Sequence, residues 1–185
     1  MTTLVVGVGN PDRGDDAVGW VVAGALDDCG LLGPGGDVVV RLSQGEPAGL
    51  VETWLGHDGP AVLVDATVSG LPPGTVTTFD ATKAPIDQVT QTSSHAFGPS
   101  EAVALAAALG GLPESLVFVG IEAKSFEPGA PLTPETAAGA DQAAELIRSW
   151  IAESRRSKVE GGGSPPRDRC HGFRHGIVDT GDPAA

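Results

Sequence analysis

The stretch GVGNPDRGDDAVG, Gly7 to Gly19, decides the fold that the sequence predicts. It follows a short apolar run, Thr3–Val6, and precedes apolar residues at helical spacing from Ala17 to Leu26. This succession predicts a strand, a tight turn and a helix from about Asp16 to Cys29. In an open α/β sheet, ligands bind at the edge where strands give way to helices. The two adjacent aspartates of the stretch, Asp15 and Asp16, are therefore candidate functional residues.

Strands and helices alternate along the rest of the chain. Apolar and β-branched runs predict strands at residues 37–42, 61–66, 75–80 and 115–121, and helical patterns cover residues 47–55, 101–109 and 133–154. The polar alternation of residues 75–80 predicts an edge strand, for which an antiparallel direction is one option. Residues 81–99 lack periodicity, and long loops inside compact domains tend to be functional. The alternation as a whole predicts a three-layer α/β fold.

Composition narrows the class of protein. A chain of 185 residues suggests one folded domain, and the scarcity of aromatic residues implies a core of Val, Leu, Ala and Ile. Such a core suits a parallel sheet that is buried on both faces. A net charge of −13 argues against nucleic-acid binding, which needs basic residues against phosphates. Two cysteines are too few for a disulfide framework. The sequence shows neither an apolar run long enough to span a membrane nor the pattern of a signal peptide. We therefore expect a cytoplasmic protein.

The end of the chain differs in charge from the rest. Residues 1–154 hold five basic and twenty acidic side chains, a balance of −15, whereas residues 155–185 hold six and four, a balance of +2. The tail also contains GGGSPP, which is linker composition. We therefore predict a domain over residues 1–154 and a disordered tail over residues 155–185. The tail's Cys170, His171 and His175 supply too few ligands for a closed metal site.

Two simpler interpretations of the opening stretch remain open. A dinucleotide fingerprint would need glycine where Asp12 stands, and the lysine of a phosphate-binding P-loop is absent. A nucleotide-binding α/β module is therefore only an alternative. In the other interpretation, the glycines merely allow a tight turn, and Asp15 or Asp16 caps the first helix.

Asp65 and His95 favour a metal site. Asp65 interrupts an apolar strand, and a carboxylate there loses hydration unless it is paired or binds a metal. If the first and third strands are parallel, Asp16 and Asp65 face one crevice. The alternative for Asp65 is a cap on the turn at residues 67–69. His95 lies in the long loop, and two carboxylates with an imidazole suit Zn, Fe, Ni or Mn, which can polarise a carbonyl or activate water.

Four segments together resemble the hydrogenase maturation endopeptidases, a family that processes the large subunit of nickel–iron hydrogenases. They are GVGNPDRGDDAVG, LVDATVSG, SSHAFG and VGIEAKSFEPGAPLTPE, and the resemblance covers residues 3–152. It implies a twisted, mostly parallel five-stranded sheet with helices on both faces. It also implies that Asp16, Asp65 and His95 are the metal-binding and catalytic residues. Whether the carboxylates act as general base or only as metal ligands stays open.

The resemblance also implies a substrate. Such a protease removes the C-terminal extension of the large-subunit precursor after nickel has been inserted, so that the nickel is carried by the substrate. We expect Gly9, Asn10, Gly45 and Glu46 to form a loop region that the substrate approaches, and the protease to be a monomer without nucleic-acid or membrane partners. The sequence departs from the family where many relatives have an aspartate after the second strand, since Ser43 stands there. A non-catalytic nickel chaperone with the same three ligands is an alternative function.

Overall fold

The structure is a computed structural model that describes residues 2–27, 38–83 and 99–160, with side chains as far as residue 154. Its five strands are β1 (Thr3–Val8), β2 (Val38–Ser43), β3 (Ala61–Thr67), β4 (Val76–Asp80) and β5 (Leu116–Glu122). Its α-helices are α1 (Val18–Asp27), α2 (Pro47–Trp54), α3 (Pro99–Leu109) and α4 (Pro134–Glu160), and a turn of 3₁₀ helix, Gly14–Ala17, precedes α1. Within these ranges, no helix is both long and apolar enough to span a bilayer.

The strands form one sheet in the order β2-β1-β3-β5-β4. Neighbouring strands are parallel except β4, which runs antiparallel to β5 at one edge of the sheet. The predicted edge strand and its antiparallel option are thus confirmed. Gly7 pairs with Val64, and Val64 pairs with Val119, so that β1, β3 and β5 end near the same level.

Helices cover both faces of the sheet and enclose two apolar cores. On one face, α1 and α4 pack over alternate residues of the central strands, with Val5 and Val64 among those fully buried. On the other face, α2 and α3 cover the intervening residues, including Leu63, and Trp54 is fully buried there. Burial on both faces explains why β1 and β3 are almost continuously apolar. The predicted three-layer α/β fold with a mostly parallel five-stranded sheet is confirmed.

The boundaries of three helices differ from the prediction by two residues or more, and α3 is one of them because it begins at Pro99 rather than at residue 101. The first α-helix begins at Val18 rather than Asp16, because Gly14–Ala17 form the tighter 3₁₀ turn. At the other end of the chain, α4 continues to Glu160 instead of ending near residue 154. Residues 155–160 contain neither Gly nor Pro, and basic residue types are favoured near a helix C-terminus. The predicted tail beyond Glu160 lies outside the described residues.

Gly19 lets α1 lie directly on the sheet. A Cβ atom at this position would be 2.5 Å from the carbonyl oxygen of Val64 and closer still to that of Val8. The main chain of α1 therefore contacts the ends of both β1 and β3. Because the 3₁₀ turn Gly14–Ala17 directly precedes α1, this contact also holds that turn against the carboxyl edge of the sheet.

Candidate active site

Asp16 and Asp65 lie at the carboxyl edge of the sheet. Asp16 is in the 3₁₀ turn that follows β1, and Asp65 is near the end of the neighbouring parallel strand β3. The exposed fraction of each residue is 0%. The structure thus brings these two predicted site residues to the same edge, as the sequence indicated.

The Asp15 carboxylate binds a distant segment of the same chain and does not cap the first helix. Its carboxylate accepts hydrogen bonds from the main-chain N–H groups of Lys124 (2.8 Å), Ser125 (3.0 Å) and Thr133 (2.6 Å). The Thr133 hydroxyl donates a fourth, at 3.0 Å. Three of the donors converge on Oδ2 and one reaches Oδ1, so that both carboxylate oxygens are tied to the same distant segment. The interpretation of Asp15 as a cap on the first helix is wrong, and Asp16 is the better candidate for binding a ligand.

These hydrogen bonds also keep Asp15 ionised. Burial by itself raises the pKa of the Asp15 carboxyl group, because it disfavours the charged form. The hydrogen bonds from Thr133, Lys124 and Ser125 favour that form and outweigh burial, so that the pKa of Asp15 lies below its usual value. A fixed negative charge therefore sits beside Asp16.

Arg13 lies between Asp16 and Phe126, a residue of the loop that connects β5 to α4. Its guanidinium Nη1 is 3.9 Å from Oδ2 of Asp16, and its Cζ atom lies 5.4 Å from the ring centroid of Phe126. The arginine side chain is 41% exposed, so this ion pair is partly screened by water. The guanidinium nevertheless supplies positive charge next to the buried Asp16 carboxylate.

Glu122 holds the turn that follows Asp65. Its carboxylate accepts hydrogen bonds from the Thr67 hydroxyl (3.1 Å), from the N–H and hydroxyl of Ser69 (2.8 and 2.7 Å) and from the N–H of Gly70 (2.8 Å). Asp65 itself accepts the neighbouring N–H of Ala66 at 2.8 Å. The cap on this turn is therefore Glu122 and not Asp65. The sequence contained a signal for it, since an acidic residue ends the apolar run SLVFVGIE just as Asp65 interrupts AVLVDA.

The third predicted ligand, His95, lies outside the described residues. Across residues 2–27, 38–83 and 99–160, no group of three or more His, Cys, Asp or Glu side chains is arranged to hold a metal ion. The described part of the site consists of two carboxylates, fully buried at one edge. Carboxylate oxygens are suitable ligands for a divalent cation, and a bound cation would offset part of the cost of burying two charges.

The predicted substrate-approach residues occupy two adjoining segments. Gly9 has a positive φ of 134°, and its N–H donates to the carbonyl oxygen of Ser43 at 3.1 Å. Asn10 turns the chain by accepting the N–H of Asp12 at 2.9 Å. Gly45 is buried, with a φ of 93°, and donates to the Ser43 hydroxyl at 3.1 Å, while Glu46 is exposed at the start of α2. Ser43, which stands in place of the family's aspartate, thus links both segments.

Fold and site together define a class of three-layer α/β proteins that carry buried acidic residues at the carboxyl edge of the sheet. The family model for hydrogenase maturation protease (HycI) matches residues 58–150, just over half of the chain. The chain therefore belongs to the hydrogenase maturation protease family and is a peptidase.

Solved structures agree with this assignment. The hydrogenase maturating endopeptidase HybD from E. coli is 27% identical with a TM-score of 0.70, the alignment covering 83% of this chain and 94% of HybD. A solution structure of an endopeptidase from Escherichia coli is 27% identical with a TM-score of 0.72, and the alignment again covers 83% of this chain and 94% of that one. The [NiFe] hydrogenase maturation protease HycI from Thermococcus kodakarensis KOD1 is 26% identical with a TM-score of 0.60, over 79% of this chain and 89% of HycI. A comparison with curated protein sequences gives no significant match.

Proposed function

We propose that the protein removes the C-terminal extension of a nickel-loaded nickel–iron hydrogenase large-subunit precursor, with Asp16, Asp65 and His95 as metal-binding and catalytic residues. The observation that carries this proposal is the position of Asp16 and Asp65, both fully buried at the carboxyl edge of adjacent parallel strands. Such carboxylates are suited to binding a cation that arrives with the substrate.

The nickel belongs to the precursor in this proposal and serves as a recognition tag. When bound, nickel supplies a Lewis acid that can polarise the carbonyl of the scissile peptide bond. The protein's own contribution is to bind the cation through oxygen and imidazole ligands and so hold the peptide beside the site, which is a proximity effect. Asp16 or Asp65 then accepts a proton from the attacking water as general base, or serves as a ligand alone.

The peptide itself would contact the segments around Gly9–Asn10 and Gly45–Glu46. These segments are tied together through Ser43 and adjoin the turn that carries Asp16. Their glycines present main chain without side chains, and an extended peptide can approach such a surface closely. We also propose that the protein acts as a monomer in the cytoplasm, with a catalytic domain that ends with α4 at residue 160 and a dispensable tail beyond it.

Mass spectrometry of a processing reaction tests the proposal. Nickel-loaded and nickel-free forms of the large-subunit precursor are incubated with the purified protein, and the masses of the products are measured. We expect one cleavage near the C-terminus of the nickel-loaded form and none in the nickel-free form. Binding without shortening would instead support the nickel chaperone, and cleavage of both forms would contradict nickel as the recognition tag.

A further inference from the structure

Two buried carboxylates outside the proposed ligand set bind the same stretch of chain. Asp15 precedes Asp16, and its carboxylate is held by Lys124, Ser125 and Thr133. Glu122 holds the turn that begins two residues after Asp65. We refer to residues 122–133, from the last residue of β5 to the residue before α4, as the β5–α4 connection. It contributes Glu122 itself and the donors to Asp15.

Main-chain hydrogen bonds also join the β5–α4 connection to two site segments, which are the 3₁₀ turn with Asp16 and the turn after Asp65. The N–H of Asp15 donates to the carbonyl oxygen of Ser125 at 2.9 Å, while the N–H of Ser125 donates to the Asp15 carboxylate. On the other side, the N–H of Ala123 donates to the carbonyl oxygen of Thr67 at 2.9 Å. Each site segment is therefore fixed to the connection by main-chain and side-chain hydrogen bonds together.

We propose that Asp15 and Glu122 are positioning residues that set the relative placement of Asp16 and Asp65 through the β5–α4 connection. The inference rests on the proposed function, because it assumes that these two aspartates bind the nickel of the precursor. Both positioning carboxylates have their oxygens occupied by four donors each, so they hold the turns and do not bind the metal themselves. Hydrogen bonds that orient metal ligands commonly change affinity or activity by about 10- to 100-fold when removed.

The test compares Asp15→Asn and Glu122→Gln with a matched control, Asp80→Asn. In the Asn variant, an NH₂ group replaces one oxygen that accepted N–H groups, so that donors face each other. Asp80 also accepts a main-chain N–H and a hydroxyl, both from Thr82. It ends the antiparallel strand β4 and pairs with Val117 near the start of β5, so it lies at the end of the sheet opposite to the carboxyl edge. The control thus removes a comparable carboxylate at a distance from the site.

Three quantities are measured on the full chain: kcat and kcat/KM for the nickel-loaded precursor that the wild type processes, the Kd for its nickel-free form, and the fraction folded. For Asp15→Asn and Glu122→Gln we expect kcat/KM per folded molecule for the nickel-loaded precursor to fall by about 10- to 100-fold, through a lower kcat together with a higher KM. The Kd for the nickel-free precursor should stay within about twofold of the wild-type value, and Asp80→Asn should stay within about twofold in all kinetic quantities. A merely structural role would lower the folded fraction and leave kcat per folded molecule unchanged.

A milder pair of variants applies if Asp15→Asn does not fold. Thr133→Val removes only the hydroxyl that donates to Asp15, whereas Thr133→Ser keeps it. We expect kcat to fall in the valine variant and to be restored in the serine variant. Equal kcat in the two, or wild-type kcat in both carboxylate variants, would overturn the positioning role. Failure of the proposed function looks different, because then the wild type shortens no nickel-loaded precursor or Asp16→Asn processes it at the wild-type rate.

Discussion

Replacing Gly19 by alanine tests the contact that places the site turn on the sheet. The added Cβ atom would lie 2.5 Å from the Val64 carbonyl oxygen and closer to that of Val8. Both obstacles are main-chain atoms of central strands and cannot rotate away. Gly24→Ala is the matched control, because Gly24 lies on the exposed side of the same helix and a Cβ there would meet nothing within 4 Å.

The expected difference in stability follows from these distances. Ordinary van der Waals contact requires α1 to retreat from the strands by about 1 Å, and overpacking of this kind costs about 1–3 kcal/mol. Both substitutions gain about 0.5–1 kcal/mol from the better helix propensity of alanine, so this gain cancels between them. Because the obstacles here are rigid, we expect Gly24→Ala to exceed Gly19→Ala by about 2–3 kcal/mol in the free energy of unfolding. For a chain of this size, that corresponds to a Tm difference of about 4–12 °C.

Thermal and denaturant unfolding of the two variants measure this difference directly. Gly24→Ala should be at least as stable as the wild type, and Gly19→Ala should be clearly less stable. The Gly19 variant should also process the nickel-loaded precursor more slowly, since Asp16 moves with the helix. A Tm for Gly19→Ala equal to or above that of Gly24→Ala would refute the reasoning from close packing.

Three further predictions concern the proposed ligands, the Asp80 carboxylate and the C-terminal tail. Asp16→Asn, Asp65→Asn and His95→Ala should each abolish processing in the mass-spectrometric assay without lowering the Tm by more than a few degrees, and full activity in any of them would remove that residue from the proposed site. Burial raises the pKa of Asp80, but hydrogen bonds from Lys83 and Thr82 outweigh it and leave the pKa below its usual value. Its stabilising contribution is therefore present above the unfolded-state pKa, about 4, and is lost as the pH falls through the folded-state value. The stability difference between the wild type and Asp80→Asn, followed by urea unfolding, should shrink as the pH is lowered below about 4, whereas a constant difference would contradict this assignment. A chain that ends at residue 160 should keep the wild-type Tm and processing rate, because the tail composition is that of a linker, and a loss of either would show that the tail is needed.

Most of the fold could be predicted because it depends on local pattern. β3 is apolar on both faces because two helical layers cover it, and that burial is visible in the sequence as an unbroken run before Asp65. The edge strand β4 shows the opposite pattern, since all of its residues are half-buried. The start of α1 was predicted two residues too early, because helical spacing alone does not separate a 3₁₀ turn from the first turn of an α-helix.

The candidate site could be predicted only in part. Strand ends and parallel direction were enough to place Asp16 and Asp65 at one edge. The preference for Asp16 over Asp15 came from the family resemblance and not from composition or spacing, because the physical difference between the two depends on which carboxylate faces a segment more than 100 residues away. Such a contact leaves no periodic signal near either residue.

The segment VGIEAKSFEPGAPLTPE shows how a motif without a proposed metal ligand can support the proposed site. The sequence resemblance included it, yet it contributes neither Asp16, Asp65 nor His95. In the structure it supplies the Glu122 carboxylate that holds the turn after β3 and the N–H groups that hold Asp15 after β1. The two turns follow strands that are paired in the sheet, and the segment from the end of β5 into α4 adds a second link between the turns beyond the ends of those strands. The resemblance in this segment is then explained by the hydrogen bonds that place the two aspartates, without any ligand of its own.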